Sequence, residues 1–245
     1  MRFGIIGDVH ANLAALTVAL KVLEEQSVDQ IISLGDVVGY NADPVECLKI
    51  IREREIPSVK GNHERYVLGE KEQVLKEDTQ KVINWTQKQL SKDELLFIAD
   101  KMPNKMLHES GFLITHGSPR NKDEYLLRLH SFVSNLKLME EKYPEVKICF
   151  HGHTHLPSII ARGHIVQKIH EDTIIELQEG KQYLINPGSV GQPRDKCEKT
   201  SFGIYDDEKF TFEFYRRDYD IESTQQKVLD LGFADRFAER LALGR

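Results

Sequence analysis

Five short motifs follow one another along the chain: Asp8-x-His10, Gly35-Asp36, Gly61-Asn62-His63-Glu64, His116 and Gly152-His153-Thr154-His155. Together they supply seven potential metal ligands and one spare histidine. Carboxylate and amide oxygens mixed with imidazole nitrogens suit Mn, Fe, Zn, Co or Ni better than the all-oxygen sites of Mg or Ca. A carboxylate such as Asp36 can bridge two ions. Two ions about 3.5–4 Å apart can hold a hydroxide between them and clamp a substrate's oxygens during in-line attack. The chemistry that the set points to is therefore two-metal hydrolysis.

Taken singly, Asp-x-His and Gly-Asp are weak signals, the latter being ordinary turn chemistry. Gly-Asn-His-Glu is more specific, and Gly-His-Thr-His after an apolar run is more specific still. The force of the pattern lies in the elements that must position it. Arg2–Ile6, Gln30–Leu34, Pro57–Lys60, Gly111–Thr115 and Val146–Phe150 read as strands, each followed by one of the motifs. In open α/β sheets ligands gather beyond the carboxyl ends of strands, so these five ends aim one class of residue at one place.

Helical apolar spacing runs over Leu13–Glu24, and Asp43-Pro44 opens a helix to about Arg54 as N-cap and first-turn proline. The opening βαβαβ order predicts parallel pairing with right-handed crossovers. Residues of about 64–101 form a helical excursion, with a capping box at Ser91-x-x-Glu94. Lys105–Glu109 and Gly111–Thr115 flank a turn, and Asp123–Lys142 is another helix. Pro157–Asn186 is mostly β, with turns at Arg162-Gly163 and Glu179-Gly180. Ser201–Asp206 and Lys209–Tyr215 form a hairpin, and Ile221–Leu243 is helical. The expected fold is a four-layer α-β-β-α sandwich, two mixed sheets flanked by helices, in a single domain over 1–245. The excursion at 64–101 is a candidate cap.

The 245 residues suffice for a sizeable core, and 40% hydrophobic with 29% charged residues is ordinary for a globular protein. No apolar run approaches the roughly 20 residues of a membrane span. No cleaved leader is expected, because cleavage would remove Asp8 and His10. A net charge of -6 argues against a nucleic-acid footprint, since such domains are usually basic. Cys47, Cys149 and Cys197 lie far apart without C-x-x-C spacing, which suits free thiols in a reducing cytoplasm.

The motifs resemble those of the calcineurin-like metallophosphoesterases, and more narrowly the small bacterial and archaeal phosphoesterases of that superfamily. The resemblance runs from Asp8 to the segment Asn-Pro-Gly-Ser-Val-Gly-Gln-Pro-Arg at 186–194. It implies a binuclear centre in which Asp8, His10 and His155 bind one divalent transition metal, with Mn favoured. Asn62, His116 and His153 would bind the other, Asp36 would bridge both, and His63 would be the catalytic histidine that is not a ligand. The activity implied is hydrolysis of a phosphate monoester or diester of a small molecule, by attack of a metal-bound hydroxide. A dinucleoside-polyphosphate hydrolase, a protein phosphatase and a non-catalytic scaffold share the fold as alternatives.

One departure bears on these alternatives. Many members, the serine/threonine protein phosphatases among them, read Gly-Asp-x-x-Asp at the second motif and follow it with arginine. Here Gly39 and Tyr40 stand at those positions. The missing aspartate pairs with the catalytic histidine in those phosphatases, so the partner of His63 is open, with Glu64 and Asp43 as candidates.

Arg194 is a candidate phosphate clamp against the alternative of a surface arginine. Tyr40 and Asn41 are candidate substrate contacts. The segment from Asn186 to Gly191 reads as a site-lining loop with N–H groups aimed at an anion, or as a plain tight turn. His151 reads as structural, Trp85 as core, and the charge-rich stretch at 71–81 as a solvated helical face or part of a cap.

Overall fold

The computed structural model describes residues 1–70 and 74–245. Alternation along the strands decides its layers. In β1 (Arg2–Ile6), Phe3 and Ile5 pack between the sheets while Ile6 packs on the helical side. Beside it Gly4 leaves room for Leu23 of α1 (Leu13–Glu25), whose side chain a Cβ would meet at 2.9 Å. In β5 (Ile148–Phe150), Ile148 and Phe150 likewise face the centre and Cys149 faces out.

The first sheet runs β2 (Gln30–Ser33), β1, β10 (Thr200–Asp206), β11 (Thr211–Arg217), β8 (Thr173–Glu176). Only β1 and β2 are parallel in it. The second sheet runs β3 (Lys105–Leu107), β4 (Leu113–Thr115), β5, β9 (Tyr183–Asn186), β6 (Ser158–Ala161), β7 (His164–Gln167). There β4, β5 and β9 are parallel neighbours. Phe3, Ile32, Phe112, Phe150, Ile185 and Phe212 belong to the core between the sheets. α1 and α2 (Pro44–Glu53) cover the first sheet, and α6 (Leu129–Lys142) covers the second. The fold is thus the expected α/β arrangement of two mixed sheets with helices outside. No helix among the described residues is long and apolar enough to cross a membrane.

Several elements depart from expectation. Pro57–Lys60 is not a strand; it makes a single bridge, Ser33 to Ser58, before the chain turns into α3 (Asn62–Val67). Lys60 N–H is taken by the Pro103 carbonyl, so no ladder can continue. The helix expected from Asp123 begins at Leu129. Upstream of it, Glu124 accepts hydrogen bonds from Ser118 and from Asn135 of the helix itself, which hold the chain in a loop. The C-terminal stretch is two helices, α7 (Ile221–Asp230) and α8 (Asp235–Leu243), separated where Gly232 takes φ +63°. The Glu179-Gly180 turn belongs to the crossover from β8 in one sheet to β9 in the other.

The excursion contains α3, α4 (Glu77–Gln89) and α5 (Lys92–Lys101), and Ser91 and Glu94 form the expected reciprocal cap. Of the charged stretch at 71–81, residues 71–73 lie outside the described residues. Trp85 packs edge-on against Phe233 in a small core joining α4 to α7 and α8.

Candidate metal centre

The carboxyl ends of β1, β4, β5 and β9 and the loop after β2 meet at one edge of the sandwich. Asp8, His10, Asp36, His116 and Asn186 are fully or almost fully buried there. The backbone bends sharply to deliver the side chains. Asp8, His10, Asp36, His153 and His155 all have positive φ, between 49° and 66°. Left-handed backbone costs a non-glycine residue about 1–2 kcal/mol, so strain is concentrated where these Asp and His side chains converge.

Two donor clusters result. The ligand atoms of Asp8, His10, Asp36 and His155 all lie within 4.8 Å of one another, as do those of Asp36, His116 and His153. His10 Nε2 faces His155 Nε2 at 3.1 Å. His116 Nε2 is 3.1 Å from both His153 Nδ1 and Asn62 Oδ1. Asp36 Oδ2 lies 3.5 Å from His10 Nε2 and 3.4 Å from His116 Nε2, between the clusters.

Hydrogen bonds behind the ligands set their tautomers. His155 Nδ1–H donates to the Gln192 carbonyl at 2.5 Å, and His116 Nδ1–H donates to the Leu34 carbonyl at 2.9 Å. In the neutral ring, each of these bonds leaves a bare Nε2 turned inward. Burial pushes His10, His153 and His155 well below the usual imidazole range, which keeps them neutral. His116 goes the other way: burial lowers it, but the charge and hydrogen bond of Asp36 raise it to about 9. Asp36 is held well below the carboxylate range, because His116 and His63 outweigh its own burial. Burial lifts Asp8 to about 7, and the charge of Asp36 adds to the effect. Imidazole lone pairs and carboxylates turned on one another at such distances are the donor set that divalent transition metals satisfy.

Glu64, which the sequence reading offered as a partner for His63, has a different task. Its Oε1 accepts the N–H groups of Val37 and Val38, and its Oε2 those of Asp36 and Gly61. This one buried carboxylate locks the second motif to the third. Asp43, the other candidate, is bound to Lys227 Nζ at 2.8 Å. Among the described residues, no carboxylate side chain hydrogen-bonds the His63 ring. Its Nδ1 is buried and backs onto Gly39, where a Cβ would stand only 2.0 Å away. The ring packs on Tyr40 and His10 with centroids 4.4 and 4.7 Å apart, and burial pushes its pKa down to about 4.

Tyr40 lines the cleft above this centre. Asn41 does not: it is fully buried and its amide donates to the His10 carbonyl at 2.8 Å, behind the ligand. Arg194 is partly buried, with its N–H on the His155 carbonyl at 3.4 Å and Nη2 on Gln192 Oε1 at 3.0 Å. The loop from Asn186 braces the candidate ligands, and most of its N–H groups are not free for an anion. Those of Gly188, Val190, Gly191 and Gln192 are taken by Asn186, Gly7, Asp8 and Ser189. Ser189 Oγ donates to the Asp8 carbonyl, and Asn186 Nδ2 ties down Gly152 and Thr154. His151 is buried beside Asn186, away from both donor clusters, as a structural histidine should be.

The cleft measures about 560 Å³; Asn62 and His153 form its floor, and Tyr66, Tyr125, Lys76 and Thr79 stand in its walls. The two α4-side residues bring the excursion against the site. Tyr125 lies 3.8 Å from the His153 ring, centroid to centroid. Tyr66, Tyr125 and Arg240, discussed below, had no motif to mark them in the sequence.

A two-sheet sandwich with Asp and His clusters at its strand ends is the frame of a metallophosphoesterase. Residues 1–209 match the calcineurin-like phosphoesterase superfamily domain, and the chain belongs to that family. It is 33% identical over 246 residues to an uncharacterised protein of Methanocaldococcus jannaschii, across 98% of this chain and 97% of the relative. Among solved structures, a metallophosphoesterase from Sphaerobacter thermophilus superposes over the whole of both chains with TM-score 0.86 and 32% identity. A hypothetical protein from Pyrococcus horikoshii shares the fold at TM-score 0.81 and 17% identity, over 100% of this chain and 98% of that one.

Proposed function

We propose that this chain is a phosphoesterase that uses two divalent transition-metal ions, Mn favoured, to hydrolyse a phosphate monoester or diester of a small molecule. The observation that carries this reading is Asp36 Oδ2, placed 3.5 Å from His10 Nε2 and 3.4 Å from His116 Nε2, which gives two donor sets one shared oxygen. Asp8, His10 and His155 would hold one ion; Asn62, His116 and His153 would hold the other. When bound, the ions supply Lewis-acid charge and an activated water.

The chain's own side chains do the rest. Gln192 and Leu34 hold His155 and His116 in the tautomers that ligation needs. His63, outside both donor clusters and beside Tyr40, serves the leaving oxygen by donating a hydrogen bond from its neutral ring. Arg194 and Tyr40 meet the substrate at the cleft.

Two features favour a small-molecule ester over the alternatives. Gly39 puts no carboxylate on His63, unlike the protein phosphatases. Every ligand position and His63 are intact, whereas a non-catalytic scaffold has no need of them. The free cysteines Cys47, Cys149 and Cys197 support a reducing, cytoplasmic setting. The test is a substrate panel on Mn-reconstituted protein, covering an aryl monoester, an aryl diester, nucleotides, a dinucleoside polyphosphate and a phosphopeptide. Turnover of a small ester with none of the phosphopeptide is expected. Activity on the phosphopeptide alone, or on nothing, would contradict the reading.

A further inference from the structure

Three other arginines have carboxylate partners: buried Arg65 pairs with Asp123, buried Arg216 with Asp195 and half-buried Arg217 with Asp172. Arg194 and Arg240 do not. Among the described residues, the two guanidiniums share one neutral acceptor, Gln192 Oε1, 3.0 Å from Arg194 Nη2 and 3.2 Å from Arg240 Nη1, and Arg194 also reaches the Tyr125 hydroxyl. The Nε of each is buried with no hydrogen-bond partner. Two cations are thus held together on one amide oxygen, with donors unused and, among the described residues, no carboxylate paired with either. Their mutual repulsion and burial oppose the arrangement, and a bound anion would relieve both.

The position of the pair says which part of a substrate it serves. Arg194 follows directly on the loop that holds His155 and faces the Tyr125 hydroxyl over the cleft. Arg240 comes from α8, beyond the part of the chain that matches the family domain. It lies over the Tyr40 ring at 5.8 Å and the Phe237 ring at 5.7 Å. Tyr40 in turn packs on His63. The pair therefore stands on the His63 side of the metal centre, where the leaving group departs.

We propose that Arg194 and Arg240 form a second anion subsite, and that the substrate is a phosphate ester whose leaving group carries a second phosphate. This rests on the phosphoesterase reading above. In the reaction water adds to the scissile phosphorus, the bond from phosphorus to the leaving oxygen breaks, and that oxygen takes a proton. The second phosphate stays on the leaving alcohol, held by the two guanidiniums.

The experiment has a binding arm and a kinetic arm, both on the full chain. In the first, protein stripped of metal by chelation is titrated calorimetrically with inorganic phosphate. One phosphate per chain is expected, with affinity falling as salt rises. Arg240→Gln should weaken it roughly 10-fold or more, the scale of a lost charge-assisted hydrogen bond. Arg240→Lys should recover part of the loss, whereas Arg240→Met, which keeps an unbranched stem against Phe237 without the cation, should lose phosphate as the Gln variant does at unchanged thermal stability, which separates lost anion binding from a loosened α8. In the second arm, on Mn-reconstituted protein, Arg240→Gln should raise KM for an ester with a phosphorylated leaving group about 10-fold more than for p-nitrophenyl phosphate. No phosphate bound by the stripped chain, or equal losses on both esters, would overturn the subsite. Phosphate binding without turnover of any ester would leave the subsite standing and overturn the hydrolase reading instead.

Discussion

Glu64 Oε2 accepts the backbone N–H of Asp36 at 2.8 Å, from a carboxylate with no exposure to solvent. With Val37, Val38 and Gly61 on the same group, the loop that carries Asp36 hangs from one side chain. Glu64→Gln keeps the shape but turns an N–H₂ donor on two of those N–H groups. It should cost about 3 kcal/mol of stability, the scale of a buried polar network left unsatisfied, and should lower metal occupancy. Denaturant unfolding and metal analysis check this; a variant with wild-type stability and metal content would show that the loop is held some other way.

Gly39 is the backstop of His63. Its φ is +87°, and a Cβ there would sit 2.0 Å from His63 Nδ1. Gly39→Ala should displace the ring and lower kcat by about 10²-fold while the metal ligands keep their ions. Unchanged kcat would mean that the position of His63 does not matter to the rate.

His63→Ala should lower kcat by roughly 10²–10⁴-fold with both ions retained. The loss should be severe for a poor alkoxide leaving group and milder for nitrophenolate, which needs no proton. Loss of an ion, or equal losses for both leaving groups, would return His63 to a ligand or a structural role.

Much of this was legible in the sequence because the strands announce themselves. Arg2–Ile6 ends two residues before Asp8, and the apolar run to Phe150 ends just before Gly152-His153, so the ligand ends could be placed without coordinates. Local caps were legible for the same reason, as with Ser91 and Glu94. What failed was governed by contacts distant in sequence. Pro57–Lys60 has strand composition, but Pro103 takes the Lys60 N–H and Gly61 must pass against Asp36. Asn41 looks like a cleft residue until the fold buries it behind His10. Arg240 has no motif at all; only the packing of α8 on Tyr40 brings it to the site.

Asp36→Asn should be the most damaging of the ligand changes. It replaces the one carboxylate placed between the two donor sets, so the repulsion between two cations is less compensated. A rate loss of about 10³-fold or more is expected, with reduced metal stoichiometry. Near-normal turnover with both ions bound would contradict the bridging role.

The central claim is that catalysis needs two ions held by the two clusters that share Asp36. Metal content and activity measured on the same preparation test it most directly. Chelated protein should be inactive, and titration with Mn should restore hydrolysis in step with a second ion bound per chain. Full activity with one ion per chain, or with none, would contradict the account.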